Sequence, residues 1–188
     1  VSNELIYINI SFKGIKLFRV ISLNANGIRA AARKGFFEWL DAQNADIICI
    51  QETKAQEHQL IDECFRPKGY YSYYDDAIKK GYSGVAIYSR HKPKKVIRGI
   101  GLEGFDDEGR YLEVRLKNIN IISVYLPSGS SGEVRQNFKM KCLEAFEAHL
   151  VKLRRRHSEY IICGDWNIAH HEIDIKNWRG NKKNSGFL

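Results

Sequence analysis

The chain has 188 residues, of which 44% are hydrophobic, and its formal net charge is +8 at pH 7. This length and apolar content predict one globular domain with a sizeable core. No apolar run of 18 residues and no secretory leader pattern is present, so we expect neither a membrane span nor export. The basic excess favours a polyanionic partner, with nucleic acid first and anionic lipid second.

The cysteines carry none of the spacings that zinc sites use. Cys49, Cys64, Cys142 and Cys163 form no CxxC pair. Cys49 and Cys163 lie in apolar, strand-like runs, where cysteine behaves as a small hydrophobic residue. We therefore expect free thiols and a cytoplasmic protein.

The first third of the chain has a strand–helix–strand order. Apolar runs predict strands over Lys16–Leu23 and Asp46–Ile50. Between them, apolar residues recur at helical spacing and predict one amphipathic helix over Ala30–Gln43. A helical crossover of this length predicts parallel pairing of the two strands.

Five short strands are predicted next: Tyr70–Tyr74, Gly84–Ser89, Lys95–Arg98, Tyr111–Leu116 and Ile119–Tyr125. The tight link between the last two predicts a hairpin. Together with the later elements, these strands predict an α/β fold, a layered sandwich of sheets, hairpins and helices.

A second long helix is predicted over Val134–Leu153, followed by a strand over Tyr160–Cys163. One face of this helix is predicted to be buried, with the stripe Val134, Phe138, Cys142, Phe146, Leu150 and Leu153. The basic cluster Arg154–Arg156 suits the negative end of the helix dipole, so we interpret it as a solvated cap rather than a DNA-binding patch.

Polar residues follow the carboxyl ends of four predicted strands, where α/β sheets place their ligand sites. They are Asn24, Asn26, Glu52, Tyr125, Asp165 and Asn167. If the backbone stays extended, Asn24 and Asn26 point to one side of the sheet, and so do Asp165 and Asn167. Each of these residues is also a common turn or cap residue, but four clusters at strand ends favour a site over chance.

The oxygen atoms of these side chains suit a hard cation. Carboxylates and carboxamides favour Mg²⁺, or Mn²⁺ in its place, over Zn²⁺. Mg²⁺ often takes only one or two protein carboxylates and leaves room for a substrate phosphate. The sequence lacks a phosphate-binding GxxxxGK[ST] loop, so nucleotide triphosphate chemistry is not indicated.

At these residues the sequence resembles exonuclease III and the AP endonucleases, within the DNase I-like endonuclease/exonuclease/phosphatase superfamily. Six segments carry the resemblance in order: LNANGIRAA, ADIICIQETK, GYSGVAIYSR, YLPSGS, IICGDWNIAHHEIDI and NWRGNKKNSGF. They imply a DNase I-like domain over residues 16–188, in which two mixed β-sheets form a sandwich flanked by helices. Residues 1–15 have no family counterpart and are expected to be an extension.

The resemblance implies a role for each site residue. Glu52 is implied as the main metal ligand, with Asn26 beside it. Asp165 is implied to prepare the attacking water, with Asn167 as its partner at the phosphate, and Tyr125 is implied to place its hydroxyl at that phosphate.

The resemblance also implies residues that contact double-stranded DNA with abasic sites or 3′ ends. These are Asn24, Arg29, Tyr82, Asn181 and Asn184. The alternative is that Asn181 and Asn184 are turn residues, and that Tyr82 packs its ring on the sheet. Adjacent histidines on an extended segment point oppositely, so we do not expect His170 and His171 to share a metal.

The family implies a Mg²⁺-dependent DNA phosphodiesterase that acts as a monomer without a membrane. Its members continue into a Ser-Asp-His motif that these 188 residues lack, so the domain is expected to be incomplete at the C-terminus. Two alternatives therefore stay open: a non-catalytic DNA-binding fragment, and a relative that hydrolyses inositol phosphates or lipids.

Overall fold

The structure, a computed structural model, describes residues 6–10 and 18–187. The chain divides into two compact units. The first unit comprises Val1–Tyr125 and His157–Asp165, and the second comprises Leu126–Arg156 and Trp166–Leu188.

The first unit contains a five-stranded sheet with the strand order β1-β2-β3-β5-β4. Its strands are β1 Ile6–Ile10, β2 Phe18–Asn24, β3 Ile47–Gln51, β4 Tyr71–Asp75 and β5 Val85–Ser89. Strands β2 and β3 pair in parallel, as predicted, and the other pairings are antiparallel.

A four-stranded sheet, with the order β6-β7-β8-β9, also lies in the first unit. Its strands are β6 Lys95–Arg98, β7 Tyr111–Arg115, β8 Asn120–Tyr125 and β9 Tyr160–Asp165. The predicted hairpin of β7 and β8 is confirmed, and β8 pairs with β9 in parallel.

Alternate residues of the first sheet face opposite sides, so one face of this sheet packs against the second sheet and the other packs against helices. On one side, Val20, Cys49 and Ile87 pack in a core with residues of β7, β8 and β9. On the other side, Ile21 and Ile50 pack against the helices that follow β2. Since both faces are buried, the strands read as continuous apolar runs. The predicted layered α/β sandwich of two mixed sheets is confirmed.

The helix predicted over Ala30–Gln43 is wrong as a single element. The structure has two helices, α1 Ile28–Ala32 and α2 Phe36–Ala42. The break falls at Gly35, whose φ of 80° is left-handed and does not continue a helix.

The second unit contains the long helix α3, Glu133–Arg154, and the short helix α4, Trp178–Asn181. Of the residues predicted to form a buried stripe on α3, Cys142, Phe146 and Leu153 are buried. The prediction of burial is wrong for Val134, which is 87% exposed. Val134 lies in the first turn, where none of the described residues covers that face of the helix. The cluster Arg154–Arg156 is exposed, as expected for a solvated cap.

The predicted N-terminal extension, residues 1–15, is described only in part. Residues 6–10 form β1 and extend the sheet by pairing with β2, whereas 1–5 and 11–15 lie outside the described residues, as do Lys16 and Leu17 of the first predicted strand. The four cysteines are free thiols, as expected. In the described part of the chain, no helix has the length and apolar character to cross a membrane.

Candidate active site

The carboxyl ends of β2, β3, β8 and β9 in the first unit carry most of the predicted site. Asn24 is in register with Gln51 on β2 and β3, and Tyr125 is in register with Asp165 on β8 and β9. Just beneath these ends, the buried amide Nε2 of Gln51 donates to Ser123 Oγ at 3.1 Å. This hydrogen bond joins β3 to β8 and so holds the ends of the two sheets together.

Asn24 organises one side of the site. Its Nδ2 donates to Asp165 Oδ2 at 2.7 Å, and its Oδ1 accepts from the backbone N–H of Asn26 at 2.8 Å. Asn24 therefore fixes one carboxylate oxygen of Asp165 and the loop that carries Asn26.

Lys54 and Glu52 form the other side. The Lys54 ammonium donates to Asn26 Oδ1 at 2.6 Å and lies 3.1 Å from Glu52 Oε2. The hydroxyl of Tyr125 donates to Glu52 Oε1. One hydrogen-bonded network thus connects Asp165, through Asn24, to Tyr125.

Left-handed backbone conformations concentrate in this network. Asn26, Glu52 and Lys54 have φ of 46°, 54° and 48°. Such a conformation is costly for Glu and Lys, and it persists because surrounding hydrogen bonds hold it. The backbone N–H of Gly27 donates to the Glu52 carbonyl at 2.8 Å, and that of Lys54 donates to the Ser83 carbonyl at 2.8 Å. Strain held in this way is typical of functional sites.

Gly84 shows how closely this loop is packed. Its φ is +85°, and a Cβ there would overlap Thr53 Oγ1. The Thr53 N–H in turn donates to the Gly84 carbonyl at 3.1 Å. A side chain at this position would therefore displace the residue next to Glu52.

The extended backbone that would place Asn24 with Asn26, and Asp165 with Asn167, on one side of the sheet is absent from both pairs. Asn26 and Asn167 have φ of 46° and 51°, so the chain turns where each strand ends. Asn26 nevertheless joins the network of Asn24, because the turn brings its backbone N–H onto the Asn24 side chain.

Tyr125 is 9% exposed. Burial raises the pKa of its phenol above the ordinary value, and the hydrogen bond to Glu52 raises it further. A phenol is protonated at neutral pH even with its ordinary pKa, and the raised pKa favours that form further, so Tyr125 is suited to donate a hydrogen bond.

The oxygen atoms around Glu52 fit a cation. The Lys54 ammonium already binds Asn26 Oδ1 and Glu52 Oε2, oxygens of the two residues that the family resemblance implies as metal ligands. Within the described ranges, no three His, Cys, Asp or Glu side chains cluster as metal ligands. Glu52 with an amide oxygen fits a Mg²⁺-type ion, which takes few protein carboxylates and retains water.

The predicted DNA contacts Arg29 and Tyr82 also lie in the first unit. Arg29 is exposed on α1 and lines a shallow groove with Arg33 and Glu38. The Tyr82 ring is half-buried, with the Lys79 ammonium 5.1 Å from its centre. The hydroxyl of Tyr82 accepts from Arg110 Nη2 at 3.4 Å.

Asn167, Asn181 and Asn184 lie in the second unit. Asn167 Nδ2 donates to the Leu126 carbonyl at 2.8 Å. Asn184 Nδ2 donates to Asn181 Oδ1 at 2.6 Å, and Asn181 Nδ2 donates to two backbone carbonyls of its own turn. Such bonds are expected under the alternative that Asn181 and Asn184 are turn residues. They also hold both amides at the surface of a basic loop, residues 179–184.

The expectation that His170 and His171 point oppositely is wrong. Their ring centres lie 4.0 Å apart, just before the short helical segment that begins at Glu172. The two histidines still do not form part of a metal cluster in the described residues.

Sequence reasoning missed Lys54, Arg110 and Lys139. Lys54 stands two residues after Glu52 within a segment that resembles the family, so a signal was available. The sequence carries no sign that Arg110 and Lys139 are buried, because both residues look like ordinary surface cations until the tertiary structure encloses them.

The profile of the Endonuclease/Exonuclease/phosphatase family matches residues 21–187. An exodeoxyribonuclease of Bacillus subtilis is 42% identical over 170 residues, 90% of this chain and 66% of the relative. A DNA repair nuclease of Danio rerio is 37% identical over 90% of this chain and 55% of the relative. The solved structure of an AP endonuclease from Archaeoglobus fulgidus superposes with a TM-score of 0.79 at 29% identity, and the match covers 90% of this chain and 64% of that one.

The chain therefore belongs to the Endonuclease/Exonuclease/phosphatase family. Within it, the resemblance to exonuclease III and the AP endonucleases is confirmed by these relatives. The chain spans 66% of the length of the Bacillus subtilis relative and 55% of that of Danio rerio.

Proposed function

We propose that the protein containing this chain is a Mg²⁺-dependent DNA phosphodiesterase of base excision repair. It cleaves the backbone 5′ to abasic sites and trims 3′ ends, as a monomer in the cytoplasm. The observation that carries the proposal is the network of Asp165, Asn24, Asn26, Glu52 and Tyr125 at the strand ends. The names of the relatives at 37% and 42% identity support a nuclease that acts on DNA.

Glu52 and Asn26 would hold the metal ion. When bound, Mg²⁺ supplies charge that stabilises the phosphate in the transition state. The other proposed roles belong to residues of the chain. Asp165 orients and deprotonates the attacking water. The Tyr125 hydroxyl donates a hydrogen bond to a phosphate oxygen. Asn167 is the proposed amide donor to the same phosphate.

Asn24 has its side-chain nitrogen and oxygen engaged with Asp165 and with the backbone of Asn26. These contacts support a positioning role for Asn24 in place of the DNA contact expected from the resemblance. The orientation of a general base decides how well it meets its proton, so this positioning is part of the proposed reaction.

DNA binding would rest on the exposed Arg29, on Tyr82, and on the basic loop with Asn181 and Asn184. The net charge of +8 supports a polyanionic partner. Lys182 and Lys183 are exposed in the same loop and add charge that neutralises phosphates. Affinity for duplex DNA should therefore fall steeply as salt is raised.

The test is Mg²⁺-dependent nicking of a duplex with one abasic site, comparing the unaltered protein with Glu52→Gln. The variant is expected to lose at least about 1,000-fold in kcat, because it removes the main metal ligand and the Tyr125 partner. Glu57→Gln is the matched control, since Glu57 pairs with Arg66 at 3.4 Å outside the network. Equal activity of the two variants would refute the proposed site.

The same assay addresses the alternatives. A non-catalytic DNA-binding protein would bind the duplex in a salt-sensitive manner and leave it intact. A phosphatase for inositol phosphates or lipids would release phosphate from those substrates, and abasic DNA would not compete.

A further inference from the structure

Arg110 is a cation that the fold encloses. Only 1% of it is exposed, and it directly precedes strand β7. Arginine is seldom buried unless its guanidinium is paired. Here Nε donates to Glu108 Oε2 at 2.6 Å. Burying the guanidinium costs desolvation that an apolar residue would avoid, so filling space does not account for Arg110.

The residue holds Tyr125 at three points. Arg110 Nη1 donates to the Tyr125 carbonyl at 2.7 Å, and the Tyr125 N–H donates to the Arg110 carbonyl at 3.0 Å. The guanidinium carbon also lies 4.6 Å from the centre of the Tyr125 ring. A cation over an aromatic face is attracted to it, and more strongly where water is excluded. The backbone and the ring of Tyr125 are both held by one residue.

The same guanidinium reaches Tyr82. Arg110 Nη2 donates to the Tyr82 hydroxyl oxygen at 3.4 Å, and its central carbon lies 5.8 Å from the ring centre. Arg110 therefore joins Tyr82, a proposed DNA contact, to Tyr125, a proposed catalytic residue.

We propose that Arg110 is a positioning residue that holds the Tyr125 phenol against Glu52. The inference rests on the proposed function, because the effect is read in phosphodiester cleavage. Arg110 acts on the placement of a transition-state donor, so its loss lowers kcat and leaves KM nearly unchanged.

The first experiment compares Arg110→Lys with the unaltered protein on abasic duplex DNA with Mg²⁺. Lysine keeps the charge but lacks the planar fork that reaches Tyr125, Tyr82 and Glu108 together. We expect kcat to fall about 10- to 100-fold with KM changed less than about threefold. Arg115→Lys is the matched control, because Arg115 Nε pairs with Glu113, also two residues earlier, at the same 2.6 Å but near the other end of β7.

The second experiment is a double-mutant cycle with Tyr125→Phe. If Arg110 acts through the Tyr125 hydroxyl, Arg110→Lys lowers kcat less than about threefold once that hydroxyl is absent. The same fold loss in both backgrounds, or a loss confined to KM, would overturn the inference. Thermal denaturation of each variant reports whether it is folded.

Glu108→Gln gives the same information if Arg110→Lys does not fold. It leaves Arg110 in place and weakens the bond to Nε, so we expect a smaller loss in kcat that is again reduced in the Tyr125→Phe background. Additive losses would overturn the inference. If the unaltered protein shows no Mg²⁺-dependent nicking, both the proposed function and the role of Arg110 fail. If it nicks and the losses in the cycles are additive, only the role of Arg110 fails.

Discussion

The Lys54 ammonium donates a hydrogen bond to Asn26 Oδ1 at 2.6 Å, so a fixed cation already binds one of the oxygens that we propose for the metal ion. The same ammonium lies 3.1 Å from Glu52. A metal ion at Glu52 must therefore either displace Lys54 or share its oxygens with it. This competition gives the first two predictions.

Lys54→Met should bind divalent metal more tightly. Removing the ammonium removes a competing positive charge from Asn26 and Glu52. We expect the Kd for Mn²⁺ to fall about 3- to 10-fold, measured by electron paramagnetic resonance of the free ion. Lys34→Met is the matched control, because it removes the same charge from an exposed residue on the α1–α2 connection. Equal effects of both variants would show that only net charge matters.

Asn26→Asp should also strengthen metal binding, for a different reason. The change adds a carboxylate next to Glu52, and more ligand charge raises affinity for a hard divalent cation. We expect the Mn²⁺ Kd to fall about 3- to 10-fold. Asn44→Asp is a fitting control, since Asn44 is exposed and has the same left-handed backbone, with φ of 49°. Unchanged or weaker binding by Asn26→Asp would contradict Asn26 as a ligand.

Asn24→Leu should lower kcat and spare KM. The leucine keeps the volume but cannot donate to Asp165 Oδ2, so the proposed base loses its orientation. We expect kcat on abasic DNA to fall about 10- to 100-fold in single-turnover kinetics. Should kcat stay unchanged, the link between Asn24 and Asp165 has no part in the reaction.

Asp75 should make stability depend on pH. Burial raises the pKa of Asp75 to about 7, and the nearby carboxylates Asp76 and Asp106 raise it further. Arg98, 4.0 Å away, and the backbone hydrogen bond from Tyr111 lower it. Because the folded-state pKa lies above the unfolded value of 3.8, the stabilisation is fully present below that value and is lost as pH rises through about 7.

Asp75→Asn cannot ionise, so it should remove that loss. By urea denaturation, the variant is expected to exceed the unaltered protein by about 1 to 3 kcal/mol near pH 8 and to match it only below about pH 4. Asp41→Asn, exposed on α2, serves as the comparison. A gain of the same size at both pH values would assign the effect to something other than titration.

Lys139→Met should destabilise the second unit. Lys139 is 2% exposed on α3, and its ammonium donates to the Asn167 carbonyl at 2.7 Å and to Ser185 Oγ at 3.3 Å. Methionine fills the space but leaves the part-buried carbonyl of Asn167 without this donor, at a cost of about 1 to 3 kcal/mol. Met140→Leu, on the same helix, provides a volume-matched control. Loss of stability should be read from the unfolding transition and from faster proteolysis at 166–187.

The strands of this protein could be read from the sequence because their cause is local. Runs such as Ile47–Gln51 are buried on both faces of a sheet, and burial on both faces requires apolar side chains at nearly every position. The same holds for the positions of Glu52, Tyr125 and Asp165, since ligand sites gather at the carboxyl ends of strands. The family resemblance then named the chemistry for which those residues are suited.

The tertiary structure decided what the side chains contact. Arg110 and Lys139 read as surface cations, yet the packing of distant segments buries both. At the left-handed turns, distant residues hold the chain: Lys54 donates to the Asn26 side chain, and Lys139 donates to the Asn167 carbonyl. Contacts such as that of Asn24 with Asp165 join residues 141 positions apart, and only the folded chain determines which of many polar partners meet.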